Sequence, residues 1–330
     1  MKKNIYIFSS GELHRKQNTL YCQMEDGKRK FFPVENIEEI FIFGEVSINK
    51  KILEFLSQKE IIMHYYNHYG YYMGSFYPRE HYNSGYITIK QAEYYLDYEK
   101  RIFLAKSFVK GACLNSKKVL VYYTKRGNDC SEVINRIEEL EKKIDEQNNI
   151  ESLMAIEGNI KEIYYKSFDI IIKNRDFRFQ SRTRRPPKNR LNALISFGNV
   201  LLYTETLSAI YRTHLDPRIG FLHSPNFKRF SLNLDIAEPF KPVIVDRLIF
   251  TLLNKNIIQK NNFDRITNGL YLNDRGKKKF LQEYDKKIST VITETGKRKR
   301  TYRSIFRIEA YKIEKHLIED KEYKPYIAKW

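Results

Sequence analysis

Short apolar runs separated by turn residues fill the first eighty positions, and they predict strands. Ile5–Phe8 and Thr19–Gln23 are β-rich, and Asp26-Gly27 stands between Thr19–Met24 and Lys30–Val34, a strong hairpin signal. Ile40–Phe43 is another such run, Ile52–Leu56 has the spacing of one short helix, and Ile61–Tyr65 follows it. Pro78-Arg-Glu-His-Tyr-Asn-Ser-Gly85 is rich in turn formers, and the period changes beyond it. Ala92, Tyr95, Leu96, Ile102, Phe103, Val109, Ala112, Cys113, Val119 and Leu120 keep helical spacing, broken mainly at Glu99, until Gly127-Asn-Asp. Val133, Ile134, Ile137, Leu140 and Ile144 begin a second helix, and the remainder continues helical. The predicted fold class is α+β: a small β-strand domain over 1–80, a linker over 81–90 and a larger all-α domain over 91–330.

Two places break the apolar pattern. Ile150, Leu153, Met154, Glu157, Ile160, Tyr164 and Phe168 share one helical stripe, so Glu157 takes an apolar slot. A carboxylate there must be neutralised, paired or metal-bound, and Gly158 beside it leaves room for a backbone or ligand to approach. An internal salt bridge to an arginine is the plainer alternative. The other break is Leu215-Asp-Pro-Arg-Ile-Gly-Phe-Leu-His223 followed by Ser231-Leu-Asn-Leu-Asp-Ile-Ala-Glu-Pro-Phe-Lys-Pro-Val-Ile-Val-Asp246. His223 is expected on a loop. Ser231 can cap a helix that sets Asp235 and Glu238 at i and i+3. Pro239 should kink that helix and free the Asp235 carbonyl. His64 and His68 are four apart, but no nearby carboxylate completes a ligand set, so both read as structural or surface residues.

Composition then narrows the chemistry. Lys and Arg number 59 against 40 Asp and Glu, a net charge of +19 that favours nucleic acid or an anionic membrane surface as partner. No run approaches ~18 apolar residues and the start lacks a signal-peptide core, so a cytoplasmic protein is expected. Cys22, Cys113 and Cys130 are too few and too scattered for a disulfide frame or a thiolate zinc site, and Cys113 reads as a buried thiol. One imidazole with two carboxylates (His223, Glu157, Glu238) suits Mn²⁺ or Mg²⁺, the metals of phosphodiester chemistry. Between Lys173 and Arg190 eight basic residues face one acid, Asp176, with Phe177 and Phe179 interleaved. Arg175, Arg178, Arg182, Arg184, Arg185, Lys188 and Arg190, with Lys228 and Arg229 after His223, are the expected DNA-gripping set. A second basic zone runs from Arg275 to Arg303. Its Lys297–Arg300 segment suits either DNA contact or a loop.

Arg185-Pro-Pro-Lys-Asn-Arg-Leu-Asn-Ala-Leu-Ile-Ser-Phe-Gly-Asn-Val-Leu-Leu-Tyr203, together with the two 215–246 segments, Glu157-Gly158 and Gln91…Asp97…Arg101…Gly111…Asn115, resembles the CRISPR-associated endonuclease/integrase family that captures new spacers. The resemblance extends to the N-terminal strands. It implies a β domain that dimerises and a helical catalytic domain with a divalent-metal site of Glu157, His223 and Glu238, Asp235 supporting catalysis. It also implies a stable homodimer and a small ferredoxin-like dimeric partner, with double-stranded DNA, both prespacer and CRISPR repeat, as substrate. Lys241 stands where many members carry Arg, which keeps the charge but loses a bidentate grip. The rival readings are a metal-dependent DNA nuclease without integration and a non-catalytic DNA-binding scaffold.

Overall fold

A computed structural model describes residues 2–79, 82, 84–225, 230–293, 299–319 and 321–329. The chain forms two compact units, 1–81 and 82–330. In the first, β1 (Lys3–Ile7), β2 (Gly11–Lys16), β3 (Thr19–Met24) and β4 (Arg29–Pro33) lead to β5 (Ile37–Ile42) and β6 (Val46–Ser47). Helix α1 (Lys50–Gln58), β7 (Ile62–Tyr66) and β8 (Tyr72–Phe76) complete it. One sheet has the order β1-β5-β7-β8, parallel except for the last pair, and the other β4-β3-β2-β6. The two bury Leu13, Leu20, Ile40, Leu56 and Met63 in a common core. The β3–β4 hairpin turns where the sequence says. Gly27 takes φ +80°, a left-handed conformation that side-chain-bearing residues resist, and Asp26 Oδ1 accepts the Lys28 N–H at 3.0 Å.

In the second unit α2 (Gly85–Leu96) begins inside the stretch expected as linker, because Ser84 Oγ accepts the Ile87 N–H and caps it. The break before α3 (Tyr98–Thr124) falls at Asp97 rather than Glu99. Asp97 Oδ1 accepts the Lys100 N–H at 3.0 Å and starts the new helix. There follow α4 (Ser131–Lys142), α5 (Ile150–Lys166), α6 (Phe168–Ile171) and α7 (Arg190–Tyr211), with Asn149 and Asn189 capping α5 and α7. Helix α7 is long and apolar enough to cross a membrane, but 83% of that window is buried within the fold, which makes it the core helix. After α8 (Leu232–Ala237) and α9 (Arg247–Asn254) the unit departs from the all-α expectation. An antiparallel ribbon of β9 (Phe263–Ile266) and β10 (Gly269–Leu272) precedes α10 (Asp274–Ile288). A second ribbon, β11 (Val291–Thr293) with β12 (Lys299–Thr301), precedes α11 (Tyr302–Ile318). Each strand has three or four residues, too few for a period to register in sequence.

Candidate active site

The site grows from the irregular backbone between α8 and α9. Pro239 and Pro242 lack N–H groups, so one α-helix cannot run through them. The chain passes instead from α8 into a 3-10 turn at Glu238–Phe240 and a π-turn at Pro242–Asp246. The carbonyl of Asp235 is not freed, since the Glu238 N–H bonds to it. The side chain that reaches this irregular turn is Asn115 of α3, which bonds the Pro239 carbonyl. The buried Asn115 Nδ2 donates to Pro239 O at 2.7 Å and to Tyr326 O at 2.9 Å, while its Oδ1 accepts the Ala328 N–H at 2.9 Å. Three bonds from one amide thus clamp the turn that carries Glu238.

Asp235 organises the loop that bears His223. Its Oδ2 accepts the N–H groups of Phe221 (2.6 Å) and Leu222 (3.1 Å), and its Oδ1 accepts the His223 N–H (3.0 Å) and lies 2.7 Å from His223 Nδ1. A carboxylate can only accept, so the His223 proton sits on Nδ1 and the Nε2 lone pair faces outward. Ser231 does not cap α8. Its hydroxyl donates to Arg218 O and accepts the Gly220 N–H, pinning the same loop. At Gly220 a Cβ would stand 2.9 Å from Asp235 Oδ2, so the close approach of the loop requires glycine. Arg101 Nε donates to Phe221 O at 3.0 Å and holds the loop from outside.

Glu238 Oε1 lies 3.8 Å from His223 Nε2 and 2.5 Å from Lys241 Nζ, and its Oε2 lies 2.8 Å from Lys161 Nζ. Lys161 Nζ also contacts Glu157 Oε1, one turn earlier on α5. Glu157, His223 and Glu238 are therefore brought together around Glu238 rather than placed on opposite flanks. Among the described residues no three His, Cys, Asp or Glu side chains converge as a metal cage, because the Lys161 ammonium stands between the two carboxylates. The donors still suit a hard divalent cation: both carboxylates already reach one cationic point, and the imidazole nitrogen lies beside the second. Burial alone would raise the Glu238 pKa, but the Lys161 and Lys241 ammonium groups outweigh it and hold the carboxyl well below the usual range. In the same pocket Asp246 has no such dominance of cations, and burial pushes its pKa up to about 7. Cys113 also lines this pocket, its thiol pushed up to about 12 by burial, an inert group as expected.

The profile of the family described as CRISPR associated protein Cas1 matches residues 5–286. This chain belongs to the Cas1 family. It is 56% identical to CRISPR-associated endonuclease Cas1 2 of Thermodesulfovibrio yellowstonii over all of both chains. A Cas1 protein from Thermotoga maritima, TM1797, superposes with a TM-score of 0.88 at 47% identity, covering 98% of this chain and 99% of that one. A casposase bound to integration product shares the fold, with a TM-score of 0.87 at 21% identity over 98% of this chain and 93% of its own.

In this Cas1 the basic loop between α6 and α7 is tied down where its prolines end, the Leu270 N–H of β10 donating to Pro187 O at 2.9 Å. Arg175, Arg178, Arg184, Arg185 and Lys188 are exposed. Arg182, also expected on DNA, is half-buried. Its guanidinium donates to Thr183 O, Asn192 Oδ1 (3.1 Å) and Ser196 Oγ (3.0 Å), fastening the loop to α7. Arg190, half-buried at the start of α7, reaches back to Asp176 O. Lys228 and Arg229 lie outside the described residues, as do Lys297 and Arg298. Lys161 is a site neighbour that the sequence reading did not name, and Asn115 and Asp246 stood there only within longer stretches, with no role assigned. Only the i, i+4 spacing of Lys161 from Glu157 was there to signal one of them.

Proposed function

We propose that the helical unit is a divalent-metal-dependent DNA strand transferase that joins captured DNA to a CRISPR repeat. The observation that carries the reading is the His223 imidazole, anchored at Nδ1 by Asp235 with Nε2 beside Glu238, which shares a cation with Glu157. Glu157, His223 Nε2 and Glu238 would hold Mn²⁺ or Mg²⁺, which supplies Lewis-acid polarisation of a phosphoryl oxygen when bound. Asp235 keeps His223 in the ligating tautomer and fixes its loop. Arg175, Arg178, Arg184, Arg185 and Lys188 grip the strands through phosphates. The 3′-hydroxyl of the incoming strand forms the new P–O bond as the repeat strand's P–O3′ bond breaks; its proton leaves to solvent, and the departing O3′ takes one up from solvent. Water in place of that hydroxyl gives a nuclease. The chain's partners in this reading are a second copy, joined through the N-terminal unit, and a small ferredoxin-like dimer.

One feature favours the scaffold alternative: each site carboxylate already has a lysine partner, so the charges could merely pair. A strand-transfer assay on a repeat-bearing plasmid with Mn²⁺, and again with chelator, separates the readings. Covalent joining that the chelator stops is expected. Nicking alone would make the protein a nuclease, and inactivity with every metal would leave the scaffold.

A further inference from the structure

We propose that Lys161 is a built-in occupant of the metal position: its ammonium bridges Glu157 and Glu238 and is displaced when a divalent cation binds. This rests on the metal-site reading above.

The two lysines at Glu238 are placed differently. Lys241 follows Glu238 by three residues on the same irregular turn, is buried, takes Oε1 at 2.5 Å, and has its Nζ 5.0 Å from the centre of the Tyr203 ring. It belongs to the turn whatever else binds. Lys161 comes from α5, a different element, and bridges Glu238 Oε2 at 2.8 Å to Glu157 on its own helix. It therefore occupies the point that both carboxylates can reach, and two carboxylates so placed need a cation between them. An ammonium and a divalent ion cannot share that point.

The helix also gives Lys161 somewhere to go. Gly158 precedes it by three residues, which makes them neighbours on the helix surface. Apart from its chain neighbours and the backbone of its own helix, nothing stands within 4 Å of where a Gly158 Cβ would lie. The four-carbon lysine stem can swing into that open space while Glu157 and Glu238 stay where they are. Gly158 was read from sequence as leaving room for a ligand or a second backbone. Here the room serves the displaced lysine.

Competition of this kind lowers apparent affinity by the share of protein in which the point is filled. Calorimetry with Mn²⁺ on the full chain should therefore show K161M binding about tenfold tighter than wild type, while E238Q loses binding. Amine acetylation of wild-type protein, read at Lys161 by mass spectrometry, should rise several-fold when Mn²⁺ is added. That measurement needs no variant and so does not depend on how K161M folds. If wild type binds Mn²⁺ and E238Q does not, yet Lys161 labelling stays constant or K161M binds no tighter, the displacement proposal fails and the metal site survives. If wild type binds no Mn²⁺, or E238Q binds as well as wild type, the metal-site reading itself falls.

Discussion

Two of the His–Glu pairs among the described residues, one in each unit, are built for different ends. In the N-terminal unit His64 and Glu39 are both 0% exposed, with His64 Nε2 3.2 Å from Glu39 Oε2 and Nδ1 2.6 Å from Ser75 Oγ. Both ring nitrogens are taken, and Phe41 packs against the ring at 4.9 Å. In the helical unit His223 is 18% exposed, its Nδ1 is held by Asp235, and its Nε2 stops 3.8 Å from Glu238, beyond hydrogen-bond length. There the carboxylate is satisfied by two lysines, Lys241 from its own turn and Lys161 from another element. Residue type is the same in both places. What separates structural pairing from a candidate site is whether one nitrogen and one cation position are left exchangeable.

Asp235→Asn should break the contrast hardest. An amide nitrogen cannot accept, so at least one carboxylate oxygen that receives backbone N–H groups or faces His223 Nδ1 becomes a donor. We expect Mn²⁺ affinity to fall about 10–100-fold by calorimetry, as for other groups that orient a ligand from behind. Unchanged affinity would mean that the backbone bonds left to the remaining oxygen hold the loop and that the His223 tautomer is set elsewhere.

His64→Phe tests the other side. It leaves the Glu39 carboxyl buried without the imidazole, at a cost of about 1–3 kcal/mol in denaturant unfolding of the N-terminal unit. Mn²⁺ binding by the helical unit should stay at the wild-type value. Loss of metal binding in a folded His64→Phe protein would show that the sealed pair supports the site and that the two are not separable in kind.

Much of this was legible in the chain. The β3–β4 hairpin and α1 follow from local turn and period signals, and Glu157, His223 and Glu238 stood out as polar residues in apolar surroundings. Glu39 did not, because Glu38-Glu39 in β5 offers two adjacent carboxylates and alternation alone does not say which one faces inward. Arg182 could not be told from its basic neighbours, since what sets it apart is its bonding to Asn192 and Ser196 of α7. Asn115 acts on Pro239, 124 residues away, which no local period encodes. Lys161 reads locally as no more than a partner for Glu157 four residues before it. Only the arrival of Glu238 from another element makes it a bridge.

The finest test compares two carboxylates of one pocket. Glu238 and Asp246 are both buried, yet lysines hold the first low while burial carries the second up to about 7. The linkage signs are opposite. Glu238 contributes stability that is present above its unfolded pKa and is lost as pH falls. Asp246, raised from an ordinary 3.8, keeps its proton in the folded protein while the unfolded chain has lost it, so stability falls as pH rises from about 4 to 7. Asp246→Asn cannot ionise and should remove that slope. In chelator, its advantage over wild type in urea unfolding should grow from nothing near pH 4 to roughly 1–3 kcal/mol at pH 8. An advantage that does not change with pH would show that Asp246 ionises normally, with Lys241 compensating it as it compensates Glu238, and the contrast within the pocket would disappear.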